Sequence, residues 1–142
     1  MTKILVKYQS NLQQEAKMGN YRLMLDEPKD VGGDDKGPSP YETLLAALGA
    51  CTSMTMLMYA RRKGWDLRDI EIELSHERIH AQDCETCETK SGRLDKITRD
   101  IRIKGNINEE QRIRLLEIAE KCPVHRTLTN ENLIVDHIEM VS

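Results

Sequence analysis

The chain has 142 residues, enough for one complete hydrophobic core and too few for two, so it reads as a single domain over 1–142. Hydrophobic residues make up 39% and charged residues 32%, which excludes both a disordered polar chain and a membrane bundle. With 24 acidic against 21 basic side chains the net charge is -3, leaving no basic footprint for a nucleic-acid backbone.

The run from Met1 to Lys7 has a charge inside a short apolar stretch and no small-residue cleavage pattern. It is not a signal peptide, and a cytoplasmic location is expected. In a reducing compartment the four cysteines, Cys51, Cys84, Cys87 and Cys122, read as catalytic, redox or metal-binding thiols rather than structural disulfides. Ile4 to Tyr8 and Tyr21 to Leu25 alternate as strands, with the turn signal Gly19-Asn20 before the second. From Asp26 to Pro40 the chain is rich in Gly, Pro and Asp and reads as a loop.

Ser39-Pro40-Tyr41-Glu42 starts a helix, with Ser39 and Glu42 as a capping box and Pro40 at the first helical position. No charge follows from Thr43 to Ala60, and Arg61-Arg62-Lys63-Gly64 supplies a basic last turn and a stop. The run sits at the lower limit for a membrane span. Its Thr, Ser, Cys, Ala and Gly content favours a helix enclosed by protein instead, and a chain this short needs a second subunit to enclose it. A homodimer is therefore expected, with no membrane partner.

Asp69 to His80 alternates with Ile70, Ile72 and Leu74 on one face, and His76, Arg78 and His80 continue that parity. Ile97 to Ile103 pairs with it as a hairpin with a long tip, while Asp95 to Lys104 mixes charge signs and reads as a solvated face. Asn108 caps a second helix with Ile113, Leu115, Leu116, Ile118 and Ala119 as its stripe. A last strand is expected over Leu133 to Val141. Met54, Met56 and Met58 read as core filling.

Two contexts carry the chemistry: Gly37-Pro38-Ser39-Pro40-Tyr41-Glu42 leading through Ala46-Ala47-Leu48-Gly49-Ala50 to Cys51, and Cys122-Pro123-Val124-His125-Arg126. From about Gly32 onward the chain resembles the OsmC/Ohr family of osmotically inducible proteins and organic hydroperoxide reductases. The resemblance implies an α+β fold, with antiparallel sheets packed around a long central helix in an intertwined homodimer. It also implies that Cys51 is the peroxidatic thiol and Cys122 the resolving one. An organic hydroperoxide would be the substrate and a dithiol the reductant, with no cofactor required.

The chemistry stands on its own terms, because peroxide cleavage needs a thiolate and a second thiol must capture the sulfenic acid. Leu44, Leu48, Met54 and Met58 give Cys51 apolar surroundings that suit an alkyl hydroperoxide. Such surroundings raise a thiol pKa, so a cation must offset them, with His125 and Arg126 as candidates. In the family an N-terminal Arg does this, oriented by an acidic residue directly after the helix-start Pro. Here Arg22 is the nearest Arg before the loop, Tyr41 follows Pro40, and Glu42 comes one place later. That departure keeps open a redox-sensing or small-ligand-binding protein without rapid turnover.

A second constellation, His76, His80, Cys84 and Cys87, has ligand types and a CxxC suited to a structural Zn at the hairpin tip. The two histidines stand about 13 Å apart along an extended strand, so one ion reaches both only if the strand bends. A second dithiol that reduces the Cys51/Cys122 pair and a solvated hairpin tip are the other readings. A metal-stabilised structural protein is thus a third functional class.

Overall fold

The computed structural model describes residues 3–141, so Met1, Thr2 and Ser142 lie outside the description. The chain divides into two compact units, residues 1–47 and 48–142, with the boundary inside one long helix.

In the first unit, β1 (Ile4–Tyr8), β2 (Gln14–Met18) and β3 (Tyr21–Leu25) form an antiparallel meander. Gly19, at φ +62°, turns β2 into β3 with Met18 facing Tyr21. The sequence shows no strand at Gln14–Met18, where Ala16 alone is buried. This segment is a strand because both neighbours pair with it. The Gly-rich loop that follows folds around Asp26, whose carboxylate accepts the amides of Glu27, Asp34 and Lys36 at 2.8, 3.2 and 3.0 Å. Burial works to raise its pKa, and the three amides with the Lys36 charge outweigh that, holding the carboxyl below its ordinary 3.8.

Helix α1 spans Pro40–Lys63. Its start is the expected box: Glu42 donates its amide to Ser39 Oγ at 3.2 Å, and the Ser39 amide reaches Glu42 Oε1 at 3.2 Å. Its end is a Schellman motif around Gly64 at φ +71°, with the Trp65 amide on the Ala60 carbonyl at 2.9 Å.

In the second unit, β4 (Asp66–His80) pairs antiparallel with β5 (Arg93–Asn106), placing Ile70 opposite Ile103, Ile72 opposite Ile101 and Leu74 opposite Arg99. The expected inward parity holds through His76, after which Ile79 rather than Arg78 turns inward. Asn108 closes a capping box with Gln111 on α2 (Glu109–Ala119). Met56, Tyr59 and Ala60 of α1 pack on Leu115, Ile118 and Ala119 of α2, with Trp65, Ile70, Ile101 and Ile103 against them. Gly49 lets β4 close on α1, since a Cβ there would lie 2.6 Å from Leu74 Cδ1.

Three expectations are corrected by this packing. Of the α2 stripe, Ile113 and Leu116 stay 48% and 51% exposed, because only the face carrying Leu115, Ile118 and Ala119 meets α1. Met56 is buried as expected, whereas Met54 and Met58 are exposed. Leu133 to Val141 pairs with neither sheet within the chain, and its apolar residues are exposed. A short helix that the sequence did not suggest, α3 (Pro123–Leu128), precedes this segment. By length and composition α1 would also suffice to cross a membrane, but Leu48, Gly49, Thr52, Met56, Tyr59 and Ala60 form one buried face along it.

Candidate functional site

Cys51 sits on α1 one helical position before Thr52, and its thiol is half-buried. Cys122 is the N-cap of α3 and is fully buried, at 0% exposure. Pro123 at the first position fixes the turn into α3, so the Cys122 sulfur lies where the first helical amides point. The His125 amide donates to Cys122 Sγ at 3.5 Å. Both cysteines are free thiols, and each influences the ionisation of the other.

The surroundings of the two sulfurs differ. Burial works to raise Cys122, but the Cys51 thiol, the His125 and Val124 amides and the Thr52 hydroxyl together hold it below the ordinary 9.0. Burial also raises Cys51, and its bond to Cys122 and the charge there raise it further. The Val124 amide and the Thr55 hydroxyl only partly oppose this. The first ionisation therefore belongs to the pair rather than to either sulfur.

The other residues singled out in the sequence fall in different places. Glu42 has its carboxylate engaged in the α1 cap. His125 serves the site through its backbone amide, while its ring Nδ1 donates to the Glu120 carbonyl at 2.8 Å. Arg126 is exposed, and its guanidinium makes no hydrogen bond or ion pair among the described residues. Neither His125 nor Arg126 thus brings side-chain charge onto the sulfur. Arg22 bonds Glu15 on the neighbouring strand, at 3.5 Å.

Arg99 is the cation that sequence reasoning missed. Its Nη1 donates to Thr52 Oγ1 at 2.9 Å and to the Ala119 carbonyl at 3.1 Å. The signal was present: Arg99 shares strand parity with Ile97, Ile101 and Ile103, and a basic residue among inward-facing Ile side chains needs a buried partner. The mixed charges around it hid that parity.

Two clefts are lined by chain neighbours of the cysteines, though by neither sulfur. One, of about 320 Å³, is lined by Thr55, Met58, Tyr59, Ile118 and Pro123, with Arg62 and Lys121 also on its walls. The other, of about 250 Å³, is lined by Leu48, Ile97, Arg99, His125 and Leu128, with Asp95 and Thr129.

At the hairpin tip Cys84 and Cys87 are joined by a disulfide with Cα atoms 5.6 Å apart. In this form neither sulfur offers a thiolate to a metal. His76 Nε2 lies 2.9 Å from Asp95 Oδ1, and His80 lines a separate cleft with Gln82 and Arg93. Among the described residues no group of three or more His, Cys, Asp or Glu side chains is placed to hold an ion. The four expected ligands are therefore not gathered around one point.

Antiparallel sheets, one long helix bearing a thiol, and a second thiol at a Cys-Pro helix cap define an α+β thiol protein. A family model described as OsmC-like protein matches residues 33–136, and the chain belongs to that family. Among solved structures it is similar to an OsmC-like protein from Mycoplasma pneumoniae, at 21% identity and a TM-score of 0.72, over 90% of this chain and 86% of that one. It is also similar to an organic hydroperoxide resistance protein from Legionella pneumophila, at 18% identity and a TM-score of 0.64, over 89% of each chain. A third is the organic hydroperoxide resistance protein of Bacillus subtilis, at 18% identity and a TM-score of 0.60, over 91% and 90%. At these identities the likeness is one of fold. A search of curated proteins found no match.

Proposed function

We propose that the protein is a thiol peroxidase that reduces organic hydroperoxides through Cys51 and Cys122. The observation that carries this reading is a pair of free thiols, one half-buried and one wholly buried, each acting on the other's ionisation. Cys51 is the thiol a substrate can reach, and Cys122 is the internal base. Attack by Cys51 on the outer peroxide oxygen transfers the Cys51 proton to Cys122, breaks the O–O bond and leaves Cys51 as a sulfenic acid. The alkoxide takes that proton back from Cys122 and departs as the alcohol. The Cys122 thiolate then displaces hydroxide from the sulfenic acid, giving the Cys51–Cys122 disulfide, and hydroxide is protonated by solvent. A dithiol reductant restores both thiols by disulfide exchange and is itself oxidised.

Met58, Tyr59, Ile118 and Pro123 give the cleft bounded by Thr55 and Pro123 an apolar lining that suits an alkyl or aromatic hydroperoxide rather than hydrogen peroxide. The exposed Met54, Met58, Ile113 and Leu116, with the apolar residues from Leu133 to Val141, support a homodimer in which a second copy covers apolar surface. The dithiol cycle belongs in a reducing compartment, in keeping with a cytoplasmic location.

Steady-state consumption of cumene hydroperoxide with dihydrolipoamide tests the reading. Turnover is expected, with kcat/KM at least about tenfold above that for hydrogen peroxide, the amount a few buried methylenes supply. A redox sensor, the reading favoured by the absence of side-chain charge from His125 or Arg126 at the sulfur, would show one stoichiometric oxidation and no turnover.

A further inference from the structure

Arg99, on β5, is half-buried and lines the cleft of about 250 Å³ together with Leu48, Ile97, His125 and Leu128. A guanidinium carries five N–H donors. Those of Nη1 are used inside the fold, on Thr52 Oγ1 at 2.9 Å and the Ala119 carbonyl at 3.1 Å, and Thr52 is 0% exposed. Nε and Nη2 make no hydrogen bond among the described residues, and no carboxylate there lies within ion-pair distance of Arg99.

Both partners of Nη1 are neutral groups. The C-terminal end of α2, where Ala119 stands, offsets about half a unit charge, so part of the guanidinium charge has no match. A charge drawn out of water is ordinarily paired, and this one is held by a single nitrogen with three N–H groups left over. Asp95 does not supply the missing partner. It stands four residues away on the same strand, about 13 Å along it, and its carboxylate bonds His76 at 2.9 Å and Arg78 at 3.6 Å. Asp100 points to the opposite face of β5.

We infer that Arg99 binds the carboxylate of a ligand whose apolar body lies along Leu48, Ile97 and Leu128. The edge formed by Nε and Nη2 is the fork that takes both oxygens of a carboxylate. A dianion would need a second cation, which the walls lack, because the His125 ring is turned to the Glu120 carbonyl at 2.8 Å. Three apolar walls suit a hydrocarbon chain on a single charge. At about 30 Å³ for each water-sized group the cleft takes about eight heavy atoms, the size of hexanoate. Its link to the thiols runs through His125, whose amide donates to Cys122 Sγ at 3.5 Å, and through Leu48, one helical turn before Cys51. On the peroxidase reading the carboxylate belongs to the hydroperoxide or to the dithiol reductant. Binding itself does not depend on that reading.

The full chain is titrated with hexanoate and with hexanamide, its neutral counterpart, and the backbone amide NMR shifts of Ile97, His125 and Leu128 are followed. The wild type is expected to bind hexanoate at least about tenfold more tightly, the share of a charge-assisted pair. Arg99→Met should remove the preference, and Arg99→Lys, which keeps the charge and loses the fork, should retain only part of it. If Arg99→Met does not fold, Leu128→Glu decides. That side chain is 40% exposed, and a tethered carboxylate in the cleft should remove the preference with Arg99 in place. Two matched pairs then name the source: dihydrolipoate against dihydrolipoamide, and a hydroperoxy carboxylate against its methyl ester. The acid should show the lower KM in one pair, and only with Arg99 present. Equal KM values within both pairs, beside a hexanoate preference, would uphold the site for a carboxylate that is not turned over.

Equal affinity of the wild type for hexanoate and hexanamide would overturn the proposal, as would a preference that survives both Arg99→Met and Leu128→Glu. Weaker self-association of Arg99→Met, with no hexanoate preference in the wild type, would give the place to a carboxylate of a second copy. A wild-type chain without peroxide turnover removes the peroxidase reading and leaves the titration valid.

Discussion

Cys51→Ser is expected to lower the rate of cumene hydroperoxide reduction by at least about a thousandfold, since a serine hydroxyl is far less acidic and less nucleophilic than a thiol. Cys122→Ser is expected to behave differently. Its first turnover should be slowed by loss of the internal base, and its later turnovers lost as Cys51 proceeds from sulfenic to sulfinic acid. Reaction with excess hydroperoxide and no reductant, followed by the mass of the intact protein, separates the two: no change in Cys51→Ser, and on the other variant a gain of two oxygens with two hydroperoxides consumed. Near wild-type turnover in Cys51→Ser would remove the assigned attack. The contrast follows from burial, because the half-buried thiol meets substrate while the other, at 0% exposure, meets only its partner.

Leu115→Ala is expected to cost about 3 kcal/mol, within the 2–5 kcal/mol typical of a buried Leu, and to lower Tm by roughly 10 °C. Leu115 is 1% exposed and is enclosed by Met56, Tyr59, Ala60, Ile118 and Ala119. Ile113→Ala, two positions earlier on α2, removes a side chain that is 48% exposed and is expected to cost less than about 1 kcal/mol within one chain. Thermal melts of the two variants over a range of protein concentration check this. Equal losses independent of concentration would contradict the assigned face of α2, whereas a concentration-dependent loss confined to Ile113→Ala would mark a subunit contact. The Leu115 site also bears on chemistry, because the helix it anchors ends at Ala119, whose carbonyl takes both the Arg99 guanidinium and the Cys122 amide.

What the sequence discloses of this fold is whatever is encoded locally. The Ser39–Glu42 box, the charge-free run of α1, the Gly64 stop, the Asn108 cap and the alternation from Ile70 to Leu74 all depend on neighbours a few residues apart, and all of them appear in the structure. β2 escaped because its Gln-Glu-Ala-Lys-Met has no alternating apolar face and is made a strand by its two partners. The α3 helix escaped because six residues are too few for a period to show. The site was legible in its two cysteines but not in its wiring. Arg99 stood in a stretch of mixed charges, and half of the polar groups around Cys122 are backbone amides, which every sequence has and none displays. Cys84 and Cys87, read among several alternatives as metal ligands, lie in a disulfide, and spacing alone does not separate these two uses of a CxxC.

The claim on which the chemistry rests is that one hydroperoxide molecule links residues 51 and 122 of a single chain. Its most direct test is peptide mass mapping under non-reducing conditions, after the reduced protein has met one equivalent of cumene hydroperoxide and free thiols have been blocked in acid. The account predicts one cross-linked peptide pair joining Cys51 to Cys122, formed at the expense of both thiols, with Cys84 and Cys87 unaffected. Finding oxygen on Cys51 beside an alkylated Cys122, or Cys51 joined to Cys84 or Cys87, would contradict it.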